Sequence, residues 1–430
     1  MRKFLTNKNV RKRCHIYRML EKDSQQKRYS FHTPGHKNSK WDITELPFSD
    51  NLASPKGCIL RAEQDVADIL GAHTSFFLTD GSTHGVYSTL YAARENGVKN
   101  VAVFLPAHQS VYNGCRLLGL TMIGITVEEY TPFLLETSIP DGIKNADAIL
   151  VTSPSYYGKV LPLKRIREYC DKTQKLLLID GAHGGHLHYD KNLYAGSFAH
   201  LWVDGVHKSL PAFTQAAIVS AKTEKLAQSL KKAVDVFRTT SPSYPIMASI
   251  EYAVKYPQNK NLENRVKAFA DTRDRVEVQE DYTKLCVLFG ENAFSANAYF
   301  QSKGFYSEFC DGNRICFYLS PATKTSIFIK LEKIIDKAIG LFSYIPKIMG
   351  EDVPAPIKLH EDTPTEWVEL GDSVGKISAG NVGLFPPCTP LLFVGEKITQ
   401  EKINAVLKAD NVFGVWQGKI FIVKEEKDER

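Results

Sequence analysis

No unbroken run of about 18 apolar residues occurs anywhere in the chain of 430, so no membrane-spanning helix is expected. The basic start, Met1-Arg2-Lys3-Phe4-Leu5-Thr6-Asn7-Lys8, lacks the apolar core of a signal peptide, and a cytoplasmic location is the default expectation. The eight cysteines stand at positions 14, 58, 115, 170, 286, 310, 316 and 388, and none forms a CxxC pair. That pattern argues for small buried thiols in a reducing compartment, ahead of disulfides or metal ligands. Internal repeats and low-complexity tracts are also missing. The excess of positive charge is modest, +6 overall, and much of it lies before residue 29, at Arg2, Lys3, Lys8, Arg11, Lys12 and Arg13. No nucleic-acid motif follows this run. A solvated arm, or a helix packing on a partner subunit, is the expected reading, with no nucleic-acid or membrane partner.

What is present is ordinary in bulk and specific in detail. A hydrophobic content of 43% and a charged content of 24% suit a soluble globular chain with a large core and two domains. Residues 9–28 read as a polar amphipathic segment. Short apolar runs follow at 101–105, 148–151, 176–179, 201–203 and 216–219, each bounded by Gly, Pro, Asp or Ser. Helical stretches lie among them, at 62–71, 84–95 and 162–171. Such alternation predicts an α/β fold with a mostly parallel central sheet and helices on both faces. After about residue 275 the texture changes to a smaller α+β domain, with a long helix over 327–341. A hairpin of residues 412–416 and 419–423 turns at Gln417-Gly418. The proline-bearing stretch 351–365 reads as a linker. The expected division is an N-terminal basic arm or helix (1–28), a large domain (29–275) and a small C-terminal domain (276–430).

Two strand ends carry the clearest chemistry. The run Leu176-Leu177-Leu178-Ile179 ends in Asp180, and the strand at 201–203 leads into Gly205-Val206-His207-Lys208. An Asp at one buried strand tip and a Lys beyond the next suit pyridoxal 5'-phosphate chemistry. The lysine can form a Schiff base with the aldehyde, and the carboxylate can keep the pyridine nitrogen protonated. Helix N-capping is the competing explanation for Asp180, and a surface lysine the default for Lys208. Asp80-Gly81-Ser82-Thr83-His84-Gly85 is either a phosphate cradle at a helix N-terminus or a plain turn with an N-cap. His108 can stack on a planar ring or cap a loop, and Ser153 to Gly158 can border a pocket or simply turn. His183, His186 and His188 raise a metal site, but HxxHxH has no fourth ligand nearby and none is expected.

Taken in order, these segments resemble the Orn/Lys/Arg decarboxylase family of fold type I, aspartate-aminotransferase-like pyridoxal phosphate enzymes. The matching segments begin at Phe31-His32-Thr33-Pro34-Gly35-His36-Lys37. They run through Gly81-Ser82-Thr83, His108, Pro154-Ser155-Tyr156-Tyr157-Gly158 and Asp180-Gly181-Ala182-His183. They continue through His207-Lys208-Ser209-Leu210-Pro211, Thr239 to Tyr244 and Phe385-Pro386-Pro387-Cys388-Thr389-Pro390, with Gly395-Glu396 beyond. The chain is similar to short members without the receiver-like N-terminal domain.

The resemblance implies that Lys208 carries the cofactor, Asp180 pairs with the ring nitrogen and His108 stacks on the ring. It also implies that Ser82, Thr83 and His207 hold the phosphate, that Ala182 and His183 border the cofactor, and that Thr240 enters from the neighbouring subunit of a homodimer with shared sites. The expected activity is decarboxylation of an amino acid, basic in kind (arginine, lysine or ornithine), giving an amine for polyamine synthesis. Three positions depart from the family pattern: Gly181 stands where a Glu usually follows the strand-end Asp, Gly205 where a Ser commonly sits three residues before the lysine, and Gly380 where many members carry an acidic residue. Two alternatives stand beside the expected activity, the first of them motivated by these departures. One is aminotransfer or elimination on a non-basic substrate. The other is a non-catalytic homologue that regulates a partner.

Overall fold

The computed structural model describes residues 1, 3–27, 29–37, 39–346, 363–384, 390–408 and 411–424. The linker expected at 351–365 and the Phe385-Pro386-Pro387-Cys388-Thr389 segment fall mostly or wholly outside these residues. Seven strands come first in the chain: β1 (Thr74–Leu78), β2 (Asn100–Phe104), β3 (Thr121–Ile125), β4 (Ala148–Thr152), β5 (Leu176–Asp180), β6 (Leu201–Asp204) and β7 (Ala217–Ala221). The chain divides into two compact units, one of residues 1–97 and 152–348, the other of 98–151 and 349–430. These divisions differ from boundaries at 28 and 275, since both units combine distant stretches of sequence.

In the first unit β5 and β6 pair in parallel, with Leu178 opposite Leu201 and Asp180 opposite Val203. β7 runs antiparallel to both β6 and β1. Runs such as Leu177-Leu178-Ile179 and Ala217-Ile218-Val219 are wholly apolar because both faces of these strands are buried. The helix Ser82–Glu95 begins two residues earlier than its apolar pattern suggests, and lays Val86, Leu90 and Ala93 into the core. Downstream, β8 (Val276–Val278), β9 (Lys284–Leu288), β10 (Phe309–Cys310) and β11 (Arg314–Tyr318) form a sheet in the order β10-β11-β9-β8. The helices Lys260–Asp271, Ala293–Ser302 and Thr325–Leu341 contribute Val266, Phe300 and Phe328 to its core.

Of the two readings of the N-terminal segment, arm or helix, the structure has a helix. Its helix His15–Ser24 buries Ile16, Tyr17 and Leu20, and it packs on the helices Cys58–Leu70 and Tyr244–Val254 of its own chain. Its first N–H groups have no side-chain cap from Cys14. Glu251 takes their place, accepting from His15 N–H at 2.7 Å and Ile16 N–H at 3.0 Å, so orphan donors at a helix start are satisfied from another helix. Lys255 Nζ completes the joint, 2.8 Å from Glu251 and 2.6 Å from Asp65.

In the second unit β2 pairs in parallel with both β3 and β4. The later stretch of this unit adds two small antiparallel sheets around a core that includes Val382, Leu392, Ile403 and Ile422. The expected hairpin holds where Trp416 faces Lys419, through a turn with positive φ at Gln417 and Gly418. Its first arm is broken at Gly414, with φ +81°, where a Cβ would stand 2.1 Å from the Asn381 carbonyl oxygen. Among the described residues no helix is long and apolar enough to cross a membrane.

Candidate active site

Parallel strands deliver their C-terminal ends to one edge of a sheet, and loops beyond those ends form the natural place for a ligand. Asp180 is the last residue of β5 and is buried. Its Oδ1 accepts the Ala182 N–H at 3.1 Å, while its backbone oxygen accepts from Ser153 N–H at 3.1 Å. Beyond β6, Gly205 leads into a single helical turn, Val206–Ser209, that carries Lys208. The Lys208 ammonium nitrogen lies 3.0 Å from His183 Nε2. Asp180, Ala182, His183 and Lys208 therefore stand on two neighbouring strand-end loops.

Those loops touch backbone to backbone. A Cβ at Gly205 would lie 2.5 Å from the Ala182 carbonyl oxygen, and one at Gly181 would lie 2.9 Å from the Val203 carbonyl oxygen. Neither position has room for the larger residue common in the resembling family without moving main chain. A serine at 205 would therefore require the Ala182 main chain to move.

His183 is buried between two tyrosines. The Tyr156 ring lies 4.3 Å away, tilted by 51°, and the Tyr318 ring meets it edge-on at 5.8 Å. His207 Nδ1 donates to the Ala216 carbonyl at 2.8 Å, so in the neutral ring Nε2 bears the lone pair. Burial lowers the pKa of His207, with the charge of Lys208 adding to the effect. A phosphate contact from this side chain would need the second proton, which a dianion supplies a reason to retain.

Ser82 and Thr83 open the helix Ser82–Glu95, after Gly81 at φ +93°. Gly81 N–H donates to the Gln215 carbonyl at 3.0 Å, tying this turn to the loop after Lys208. A Cβ at Gly81 would meet nothing within 4 Å, so the space before the helix start is open. Asp80 Oδ2 lies 3.1 Å from His84 Nδ1 and accepts the Thr239 N–H at 2.8 Å. Burial pushes the Asp80 carboxyl upward, but the contacts with His84 and Thr239 outweigh it and hold its pKa below the usual value. The same contact raises the pKa of His84. Thr240 is exposed, next to the residue that Asp80 anchors. His108 belongs to the other unit, where it caps the helix Gln109–Leu117. Its Nδ1 accepts Ser110 N–H at 3.1 Å and lies 2.8 Å from Ser110 Oγ.

The histidine run resolves into separate duties. His186 Nε2 lies 2.8 Å from Asp281 Oδ1, and His188 Nδ1 lies 2.7 Å from the Gly185 carbonyl oxygen. Sequence reasoning missed Asp281, Lys284 and Tyr318 altogether. The available signal was a lysine opening the apolar run Leu285-Cys286-Val287-Leu288, an expensive place for a charge.

The family model described as Orn/Lys/Arg decarboxylase, major domain, matches residues 39–322. An arginine decarboxylase of Bacillus subtilis (strain 168) is 25% identical, with 91% of this chain and 93% of that protein covered. The uncharacterised protein YaaO of the same organism is 24% identical over 96% of this chain and 97% of its own. Among solved structures, the constitutive lysine decarboxylase of E. coli superposes with a TM-score of 0.70 at 16% identity, covering 96% of this chain and 82% of that one. These likenesses identify the fold as the aspartate-aminotransferase-like fold type I.

Proposed function

The chain belongs to the Orn/Lys/Arg decarboxylase family, and from that premise we propose that it is a pyridoxal phosphate-dependent decarboxylase of an amino acid, yielding an amine and carbon dioxide. One observation carries the reading: a buried carboxylate ends β5, and on the adjacent loop Lys208 Nζ lies within 3.0 Å of His183 Nε2.

The residues present fit the cofactor. Lys208 offers an amine. Asp180 offers a buried carboxylate with one oxygen already fixed by the Ala182 N–H. Ser82 and Thr83 offer backbone N–H groups and hydroxyls at a helix start, with open space beside Gly81, the usual setting for a phosphate. Pyridoxal phosphate, when bound, supplies a sink for the electron pair left as the Cα–carboxylate bond breaks.

The remaining work falls to the protein. Asp180 would hold a proton on the pyridine nitrogen, and burial strengthens that pairing by excluding water. Ser82, Thr83 and His207 would fix the phosphate. His183 would take a hydrogen bond from Lys208 and orient its amine. Ala182 would offer an apolar surface to the ring.

Arginine, lysine or ornithine is the proposed substrate class, feeding polyamine synthesis, and the working unit is proposed to be a cytoplasmic homodimer in which Thr240 serves the neighbouring site. One observation favours a second reading. A Cβ at Gly380 would meet only Phe421 Cβ, at 3.7 Å, so a side chain there is not barred by packing, and its absence suits a substrate without a cationic end. The test is a panel of basic and non-basic amino acids assayed for carbon dioxide and amine. Amine from a basic member supports the first reading. Amine from a non-basic member, or keto-acid products without carbon dioxide, supports the second.

A further inference from the structure

A fully buried lysine lies behind the site, and its surroundings point back toward Lys208. Lys284 opens β9 and its side chain has no solvent exposure. Its Nζ donates to Thr283 Oγ1 at 2.9 Å and lies 3.3 Å from Asp281 Oδ2. Asp281, equally buried, also meets His186 at 2.8 Å and accepts from Thr283 N–H at 2.9 Å and Thr283 Oγ1 at 2.6 Å. Burial alone would push this carboxyl upward, but His186 and Lys284 hold its pKa well below the usual range. The third face of the ammonium is closed by an aromatic ring, with Nζ standing 4.4 Å from the Tyr318 centroid.

Replacing a buried ion pair by apolar residues is often neutral or stabilising. Stability alone therefore does not account for a charge at this position. The direction of the contacts offers another account. Tyr318 donates its hydroxyl to the Tyr156 carbonyl at 2.8 Å, and the rings of both tyrosines enclose His183. A cation on one face of Tyr318 fixes that ring, and the fixed ring leaves His183 one orientation, with Nε2 toward Lys208. Gly158, at φ +88°, makes the space: its Cβ would lie 3.0 Å from Lys284 Cβ.

We propose that Lys284 is a positioning residue, which acts through Tyr318 to hold the His183 imidazole as the hydrogen-bond acceptor of Lys208 Nζ. The proposal deepens the reading given above and rests on Lys208 being the lysine that carries the cofactor. An Nε2 lone pair aimed at Nζ–H stabilises the protonated lysine nitrogen. Loosening the ring therefore makes that nitrogen lose its proton at lower pH.

The test reads this proton directly. In the full-length protein loaded with pyridoxal phosphate, the pH midpoint of the lysine-bound cofactor's absorbance is titrated for the wild type, Lys284→Met, Tyr318→Leu, His183→Phe and the Lys284→Met/His183→Phe double variant. Each single variant is expected to lower the midpoint by about one pH unit, a ~10-fold loss of proton affinity. The double variant should match His183→Phe alone, because both changes act through one imidazole. A folded Tyr318→Leu with the wild-type midpoint overturns the proposal, and so does a full extra shift in the double variant. Tyr318→Leu leaves the Lys284–Asp281–His186 cluster in place and decides alone if Lys284→Met does not fold. Borohydride reduction of the same wild-type sample separates the two levels. A label on another lysine removes the premise, whereas a labelled Lys208 with an unmoved midpoint overturns the positioning role only.

Discussion

His186 Nε2 and Asp281 Oδ1 meet at 2.8 Å, 95 residues apart in sequence and almost wholly removed from solvent. The contact joins the turn after β5 to the start of β9 and gives one histidine of the HxxHxH run an anionic partner from its own chain. Removing the Asp281 carboxylate also leaves Lys284, whose Nζ lies 3.3 Å from it, as a buried charge without that partner. Asp281→Asn is therefore expected to lower stability by about 3–5 kcal/mol. Urea unfolding monitored by tryptophan fluorescence measures this, and a change below about 1 kcal/mol would assign the pair a surface-like value.

Lys208 is expected to be the point of cofactor attachment. Borohydride reduction and peptide mapping should place the pyridoxyl group on Lys208, and Lys208→Ala should lose both the label and turnover. A label retained in Lys208→Ala would contradict the assignment.

Asp180→Asn keeps the shape of the side chain at the tip of β5 and removes its charge. Turnover is expected to fall by at least ~100-fold, the scale of losing a major electrostatic contribution to a transition state. Steady-state kinetics on the cofactor-saturated variant makes the comparison. Near-normal turnover would mean that Asp180 does not serve the ring nitrogen.

Asp204 gives the molecule a pH dependence near neutrality. Burial raises its pKa from 3.8 to about 7, against the hydrogen bonds from Tyr194 and Trp202, with the charge of Asp180 adding to the rise. Tyr194 O–H donates at 2.7 Å and Trp202 Nε1–H at 3.1 Å. The folded state thus binds a proton that the unfolded chain releases near 3.8. The stability from this group is full below that pH and is lost as pH rises toward about 7. Asp204→Asn keeps an acceptor for both donors, so its unfolding free energy should vary less than wild type between pH 4 and 7. Equal slopes for the two proteins would remove Asp204 as the source.

A shared active site predicts complementation between subunits. Lys208→Ala and a Thr240→Ala/Ser241→Ala variant, each inactive, should regain activity when mixed, because a heterodimer carries one site with both lesions and one with neither. Subunit exchange is followed by native mass spectrometry. Exchange without recovery would assign Thr240 to its own subunit's site or to none.

Much of the sheet was legible because β2, β4, β5, β6 and β7 are nearly pure apolar runs. β1 escaped notice since it carries a buried serine, whose Oγ lies 2.8 Å from Ser220 Oγ of β7. β3, which holds Met122 and Gly124, leaves most of its residues only half-buried, so its pattern is weak. Asp180 and Lys208 were readable because each follows such a run. Asp281 and Tyr318 were not, since their partners His186 and Tyr156 lie far along the chain, and Lys284 left only the trace of a charge opening an apolar run. The N-terminal basic segment was readable as an arm or a helix, but the packing of its helix on its own chain was not, because its buried side, Ile16, Tyr17 and Leu20, is narrow beside its charge.

The backbone contact between Gly205 and Ala182 bears on how this protein can change. A serine at 205 would need the main chain at Ala182 to retreat, and Ala182 sits two residues from Asp180. Gly205→Ser alone is therefore expected to displace the turn that carries Ala182 and His183. The present turn at Ala182 and a side chain at 205 exclude one another, so a laboratory selection for a hydroxyl at 205 is expected to bring compensating changes in that turn.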